Sequence, residues 1–200
     1  MKTTPLMASA IATLGLFGAA SVQAETLLYN VTLSGANESP PVVSGGAGFG
    51  IVTLDTTSFT MRVQSIFAGL TGTTTVAHIH CCTAVPGTAN AGVATMTPSF
   101  AGFPAGVTTG SFDATFDMLD SASWNAAYIT NNGGTTASAF GALAAGMASG
   151  SAYLNIHTSF APGGEIRGFL VTQVPEPSTY ALMALGLAVV GGLARRRRAV

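Results

Sequence analysis

The stretch that decides the fold is SAYLNIHTSFAPGGEIRGFLVT, residues 151–172. Apolar and polar residues alternate in SAYLNIHT (151–158) and again in EIRGFLVT (165–172), the period-two pattern of strands. The connecting SFAPGG (159–164) holds a proline and two glycines and is typical of a turn. This segment therefore predicts two strands joined by a turn.

The rest of the body shows the same kind of pattern, with short strands separated by turn residues. Further strand-like segments lie at residues 26–34, 47–55, 59–67, 76–81 and 110–118. Between residues 121 and 150 the chain is rich in alanine and its apolar residues recur at helical spacing, which predicts one or two short helices. This succession is typical of an all-β sandwich or barrel with a helical insertion late in the chain.

The N-terminus has the features of a secretory signal peptide. An early cation precedes an apolar run at residues 6–20, and the small residues Val22 and Ala24 form the site that a signal peptidase reads. The run is shorter than the stretch of about 20 residues that crosses a bilayer. We therefore expect a signal peptide at residues 1–24 and a mature N-terminus at Glu25, rather than a membrane anchor.

The C-terminal segment, VPEPSTYALMALGLAVVGGLARRRRAV (174–200), has three parts. A motif of Pro175, Glu176 and Pro177 precedes an apolar segment at about 178–194, which is close to the minimum length of a transmembrane helix. The cluster behind it consists of Arg195, Arg196, Arg197 and Arg198. Arginines directly behind a hydrophobic helix stay on the cytoplasmic side, which places the body of the protein outside that membrane.

This three-part arrangement resembles the PEP-CTERM sorting signal of Gram-negative bacteria. The resemblance implies recognition near the Pro-Glu-Pro motif by an exosortase-type membrane protease, so that the segment 174–200 is a temporary inner-membrane anchor. It also implies delivery to the cell surface or the exopolysaccharide matrix. With both signals set aside, residues 25–173 are expected to form one domain.

The expected mature domain carries few charges. Its fixed cations are Arg62 and Arg167, against seven acidic residues, which leaves a net charge of minus five. Such a domain lacks the basic surface that proteins use to bind nucleic acid. Its many glycine, alanine, threonine and serine residues suit an extracellular or matrix setting and contacts with polysaccharide.

Three separated motifs of the body resemble the CHRD domain, a module named for its repeats in chordin. LSGANESPP (33–41) resembles the opening of the family, AHIH (77–80) its middle, and YLNIHT with PGGEIRG (153–168) its end. The resemblance covers about 26–172 and implies an antiparallel, Greek-key-type β-sandwich, immunoglobulin-like or superoxide-dismutase-like. In animals the module belongs to an extracellular protein that binds growth factors; for bacterial members the resemblance implies no particular reaction.

All three histidines of the chain lie within these motifs. Alternate residues of a strand share a face, so His78 and His80 lie on one face about 7 Å apart. Leu154 and Ile156 are expected to face inward, which puts His157 on the opposite face of its own strand. If the two strands are close in space, the three imidazoles can converge and form a zinc or copper site with one open position. The alternative is a structural role, in which the imidazoles hydrogen-bond to backbone or carboxylate groups.

Cys81 and Cys82 stand where many CHRD domains have Gly-Pro or a single cysteine. As the only cysteines, and as neighbours, they cannot close a long loop. Three outcomes are open: a disulfide between the two, pairing with another chain, or Cys82 as a further metal ligand on the face of the histidines. An oxidising compartment favours oxidation in some form.

Asn155, Glu165 and Arg167 are candidates for a structural role within the last motif. Glu165 and Arg167 are two residues apart and are expected to share a strand face. Two arrangements are possible. In the first, Glu165 and Arg167 form a half-exposed ion pair. In the second, Arg167 is buried and its five donors organise the Pro-Gly-Gly turn and nearby carbonyl groups. We expect the second arrangement.

The sequence contains no G-x-S-x-G, H-E-x-x-H or phosphate-binding motif. Asp113, Asp117 and Asp120 lack the glycine and the closing glutamate of a calcium-binding loop, and the first two are expected on a solvent-exposed strand face. We therefore expect a non-catalytic interaction module of the cell surface or matrix, with matrix polysaccharide or surface proteins as partners. The alternative is an extracellular copper- or zinc-binding protein that uses the His-x-His strand.

Overall fold

The computed structural model describes residues 26–172, together with 183 and 185–187, which are helical. The expected signal peptide (1–24), the Pro-Glu-Pro motif, the arginine cluster and most of the apolar segment 178–194 lie outside these residues. Among the described residues, no helix has the length and apolar character needed to cross a bilayer. The elements are β1 (Thr26–Ser34), β2 (Ala47–Asp55), β3 (Thr60–Ala68), β4 (Thr74–His80), β5 (Gly110–Asp117), α1 (Ala126–Asn131), α2 (Thr136–Ala148), β6 (Tyr153–Thr158), β7 (Ile166–Phe169) and β8 (Val171–Thr172).

The eight strands form one antiparallel sheet in the order β4-β6-β7-β1-β2-β3-β5, and β8 pairs with β1. The sheet curls, so that strands from both of its halves contribute to a single hydrophobic core. In β1 the core-facing side chains are Tyr29, Val31 and Leu33, as the alternation in its sequence predicts. This architecture confirms the predicted all-β antiparallel fold.

The helical insertion is also confirmed, because α1 and α2 both lie between residues 121 and 150. Asn125 caps α1 by accepting from the backbone N–H of Ala127, and Thr135 and Ser138 form a capping box at the start of α2. One predicted strand, 165–172, is divided into β7 and β8. The division falls at the buried Leu170, whose backbone N–H donates to Ala152, just outside β6.

β6 is buried on both of its faces. Leu154 and Ile156 belong to the core, whereas Tyr153, Asn155 and His157 lie on the outer face. The connection from β4 to β5 (81–109) runs along the free edge of β4 and reaches over this outer face. The polar side chains of the outer face are therefore withdrawn from water.

Candidate metal centre

His78 and His80 on β4 and His157 on β6 come together on the outer face of the sheet. β4 pairs directly with β6, in a register that places His78 opposite Asn155 and Val76 opposite His157. One ring nitrogen from each histidine lies within 4.8 Å of the corresponding nitrogens of the other two, and all three residues are buried. The pairing of β4 with β6 therefore brings together the three candidate ligands.

Each imidazole is held by one backbone carbonyl group. His80 Nδ1 donates to Ala91 O at 3.0 Å, His157 Nδ1 donates to Pro162 O at 2.9 Å, and His78 Nε2 donates to Pro98 O. A carbonyl group can only accept, so these ring nitrogens carry the proton and the opposite nitrogens carry a lone pair. Carbonyl groups that fix the tautomer in this way are typical neighbours of metal-binding histidines.

The opposite nitrogens are His78 Nδ1, His80 Nε2 and His157 Nε2, and they have no hydrogen-bond partner among the described residues. Buried polar atoms without partners are rare in folded proteins, because leaving one unpaired costs about 1–3 kcal/mol. Three such acceptors in one cluster make a set that a metal ion would satisfy at once.

Burial keeps the three imidazoles neutral. The pKa of His80 is lowered to about 4, mainly by burial and to a smaller extent by the neighbouring imidazoles and Arg167, against the hydrogen bond to Ala91. The pKa of His78 and that of His157 are also lowered by burial, and His157 adds to the effect at His78. Neutral imidazole is the form that binds metal, so no proton has to be displaced near pH 7.

The donor set fits copper or zinc. Tetrahedral zinc at about 2.0–2.1 Å from each nitrogen separates the nitrogens by about 3.4 Å, so the nitrogens, which lie within 4.8 Å of one another, would move closer together when the ion binds. Imidazole ligands suit both zinc and copper. Three protein ligands leave a fourth position open, as in sites that also bind a small external ligand.

Tyr153 supports His80 from the neighbouring strand. Its ring lies parallel to the imidazole of His80, with centroids 4.8 Å apart, and Arg167 lies 4.6 Å from the centroid of the same tyrosine ring. The hydroxyl of Tyr153 accepts from the backbone N–H of Ala91 at 3.1 Å, and His80 donates to the carbonyl group of the same residue. Both side chains are therefore held by the backbone of Ala91. The alternation in the sequence places Tyr153 on the strand face of Asn155 and His157, but it does not identify Tyr153 as a residue of the site.

Glu165 and Arg167 are both fully buried, and they do not pair with each other. Arg167 donates from Nε to Asn37 O and from Nη1 to Asn90 Oδ1, both at 2.6 Å, and its Nε lies 3.7 Å from the Glu38 carboxylate. Arg167 is thus buried and organises a carbonyl group, but this group belongs to the loop after β1 and not to the Pro-Gly-Gly turn. At that turn the amide of Asn155 and the carboxylate of Glu38 pack against Gly164, where a side chain would collide with both.

Cys81 and Cys82 are joined to each other by a disulfide bond. Cys81 is buried in the core and Cys82 is exposed. Both sulfur atoms pack so closely on Gly146 of α2 that a side chain at this position would overlap them. In this state Cys82 carries no free thiolate and does not belong to the histidine cluster.

The three clustered aspartates are not brought together as a site. Asp113 pairs with Arg62 on the exposed face of the sheet. Asp117 and Asp120 accept hydrogen bonds from nearby backbone N–H groups in the turns after β5. Their contacts serve local structure.

Two family models match the chain. The CHRD domain matches residues 29–170, and the PEP-CTERM protein-sorting motif matches residues 173–198. No curated protein and no solved structure shows significant similarity to the chain. The first match covers the sheet except the first residues of β1 and the short β8, and it includes all three residues of the histidine cluster.

Proposed function

Because the chain belongs to the CHRD domain family and ends in an exosortase sorting motif, we propose that this exported surface protein binds a copper or zinc ion through His78, His80 and His157. The sorting motif implies a membrane-anchored precursor that is processed for the cell surface. A Gram-negative source, with the inner membrane as the site of anchoring, is part of the proposal.

The observation that carries the proposal is the set of three unpaired ring nitrogens. A purely structural histidine would place hydrogen-bond partners at both of its nitrogens. Here one nitrogen of each ring donates a hydrogen bond to a carbonyl group, and the other nitrogen is buried without a partner among the described residues. The cost of these three unpaired acceptors is offset when a metal ion is bound.

The residues of the chain have separate tasks in such a site. The three imidazoles would bind the ion, the carbonyl groups of Ala91, Pro98 and Pro162 would orient them, and Tyr153 would support His80. A bound copper or zinc ion would supply a Lewis acid with one open position. All three imidazoles of the cluster would be used as ligands, and we propose binding rather than catalysis.

The test is the metal content of the exported protein, purified without chelator or histidine tag and measured by elemental analysis. We expect about one equivalent of copper or zinc in the wild type, directly or after incubation with these ions. Loss of an outer-shell partner typically weakens metal binding about 10–100-fold, so loss of a ligand should cost more. His78→Ala and His157→Ala should therefore lose the ion with an unchanged circular dichroism spectrum.

Gln64→Ala, on β3 in the other half of the sheet, is the matched control and should keep the metal. Absence of metal in the wild type after incubation with both ions would refute the proposal and return the histidines to a structural role.

The role of a non-catalytic interaction module remains a second proposed function. It is supported by the few charges of the domain and by a cleft with neutral polar walls beside the disulfide. The two functions use different residues and can be tested separately.

A further inference from the structure

We propose that the cleft beside the Cys81–Cys82 disulfide binds a neutral, hydroxyl-rich ligand, namely a hexose unit of a polysaccharide. The inference rests on the second proposed function and not on the metal centre. The cleft has a volume of about 370 Å³, within the range of about 300–1,000 Å³ that is usual for small-molecule sites. Its lining includes the disulfide and Tyr128, together with Asn125, Asn131 and Asn132.

The asparagines offer both donors and acceptors to a ligand. Asn125 uses Oδ1 to cap α1, which leaves its Nδ2 hydrogens available. Asn132 donates from Nδ2 to Tyr128 O, which leaves its Oδ1 as an acceptor. The side chain of Asn131 has no hydrogen bond within the described part of the chain and can both donate and accept. Sugar hydroxyl groups also do both, so they match this mixed set.

Tyr128 contributes a hydroxyl group whose present partner is weak. Its oxygen lies 3.8 Å from Cys82 Sγ, and sulfur is a poor hydrogen-bond partner. Burial raises the pKa of Tyr128 to about 12, so the group stays a neutral O–H donor. Its ring is held in place by parallel stacking on Trp124. A ligand hydroxyl group would give this oxygen a stronger partner than sulfur.

The uncharged lining of the cleft favours a neutral ligand over a charged one. Of the described side chains that line it, none carries a charge near neutral pH. An anionic or cationic ligand would lose hydration there without a compensating partner, which is costly. A neutral sugar ring instead presents hydroxyl groups to the asparagines and C–H groups to the disulfide and to Val93 and Ala127.

The disulfide holds one wall of the cleft in a fixed position. It links consecutive residues and packs directly on Gly146 of α2, while Cys82 Sγ also lies 3.9 Å from Ala142 O of the same helix. A rigid wall lowers the conformational entropy that the protein loses when a ligand binds. The cleft is therefore preformed without its ligand.

The experiment is a titration of the exported protein with mannotetraose, maltotetraose and cellotetraose, followed through backbone and asparagine side-chain amide NMR signals. We expect saturable shifts confined to the cleft with at least one of the three sugars. Asn131→Ala and Tyr128→Phe should each weaken binding about tenfold, the loss of one hydrogen bond. Gln64→Ala changes an amide on β3 that does not line the cleft and should leave the affinity unchanged.

Absence of shifts at the cleft with all three tetrasaccharides would overturn the inference. Equal or tighter binding of the anionic sugar oligogalacturonate at the cleft would overturn the choice of a neutral ligand. His157→Ala should retain sugar binding, so that failure of the metal proposal and failure of this one give different results.

Discussion

Glu38 is a carboxyl group that the fold holds beside a guanidinium group but out of water. It is 7% exposed, and its Oε1 has no hydrogen-bond partner among the residues described. Arg167 gives its closest hydrogen bonds to Asn37 and Asn90 and stays 3.7 Å from the carboxylate. Burial therefore outweighs the attraction of Arg167 and raises the pKa of Glu38 to about 7.

This shift predicts how Glu38→Gln changes stability with pH. The folded pKa of about 7 lies above the ordinary value of 4.5, so between these values the folded protein holds a proton that the unfolded chain has lost. The stabilisation by that proton is complete below pH 4.5 and is lost as the pH rises through about 7. Glu38→Gln should match the wild type near pH 4.5 and exceed it by about 3 kcal/mol at pH 8, since the shift is about 2.5 pKa units and one unit equals 1.36 kcal/mol.

Urea unfolding at several pH values measures this difference. The three buried histidines are present in both proteins, so their contribution cancels when the two free energies of unfolding are subtracted. A difference that stays constant from pH 4.5 to pH 8 would contradict the prediction.

At the scale of elements, α2 packs against the disulfide that directly follows β4. Gly146 faces both sulfur atoms, whereas Gly141, five residues earlier in the same helix, has no described atom outside the adjacent helix backbone within 4 Å of the position that an added methyl group would take. Two glycines of one helix thus have opposite surroundings, and each can serve as the control for the other.

Gly146→Ala should destabilise the protein and Gly141→Ala should stabilise it. In a helix interior alanine is favoured over glycine by about 1 kcal/mol, and this gain should be seen at Gly141. At Gly146 the added methyl group would push α2 away from the disulfide, at a cost of about 1–3 kcal/mol. Thermal unfolding followed by circular dichroism tests both changes; a stabilised Gly146→Ala variant would show that the contact is loose.

Glu165 connects three elements of the same region. Its carboxylate accepts from the backbone N–H groups of Thr71 and Gly72 before β4, at 2.6 and 3.0 Å, and from the hydroxyl groups of Ser44 and Thr158. Burial opposes ionisation, but these hydrogen bonds outweigh it and lower the pKa of Glu165. The ionised side chain therefore holds together the loop before β2, the start of β4 and the end of β6.

Glu165→Gln should lower the free energy of unfolding by about 3 kcal/mol, because its NH₂ group cannot accept from these donors and leaves them unpaired. Since the folded pKa is lowered, the contribution of Glu165 is present above pH 4.5 and is lost as the pH falls through the folded value. Asp113→Asn, on an exposed and solvent-screened ion pair, is the matched control and should cost much less. Equal losses in both variants, measured by urea unfolding at pH 7, would contradict the role of Glu165.

At the scale of the whole molecule, the histidine cluster lies between two separate connections. The carbonyl groups of Ala91 and Pro98 belong to the connection from β4 to β5, and that of Pro162 belongs to the turn from β6 to β7. A metal ion that fixes the three rings would therefore restrain both connections at once.

Zinc should accordingly slow hydrogen exchange in both connections. With zinc at saturation, we expect amides of 83–104 and 159–165 to exchange at least about tenfold more slowly, because bound metal penalises local opening. His157→Ala should abolish this protection. Protection limited to residues beside His78 and His80 would show that the β6–β7 turn is not coupled to the metal.

The sequence by itself determined the strands, the helical insertion and the family, because each of these depends on neighbouring residues. Period-two alternation reports which side chains share a face, so β1 could be assigned its core side and His78 could be placed with His80. The sorting motif at the C-terminus is likewise a linear pattern.

Only the tertiary structure decided which distant residues meet. The pairing of β4 with β6 brings His157 to His78, and the β4–β5 connection supplies carbonyl groups and shields the cluster from water. Arg167 likewise meets Glu38, far away in the chain, rather than Glu165, two residues away. The physical reason is that strand order, register and loop coverage are set by the packing of the whole core, which no local period records.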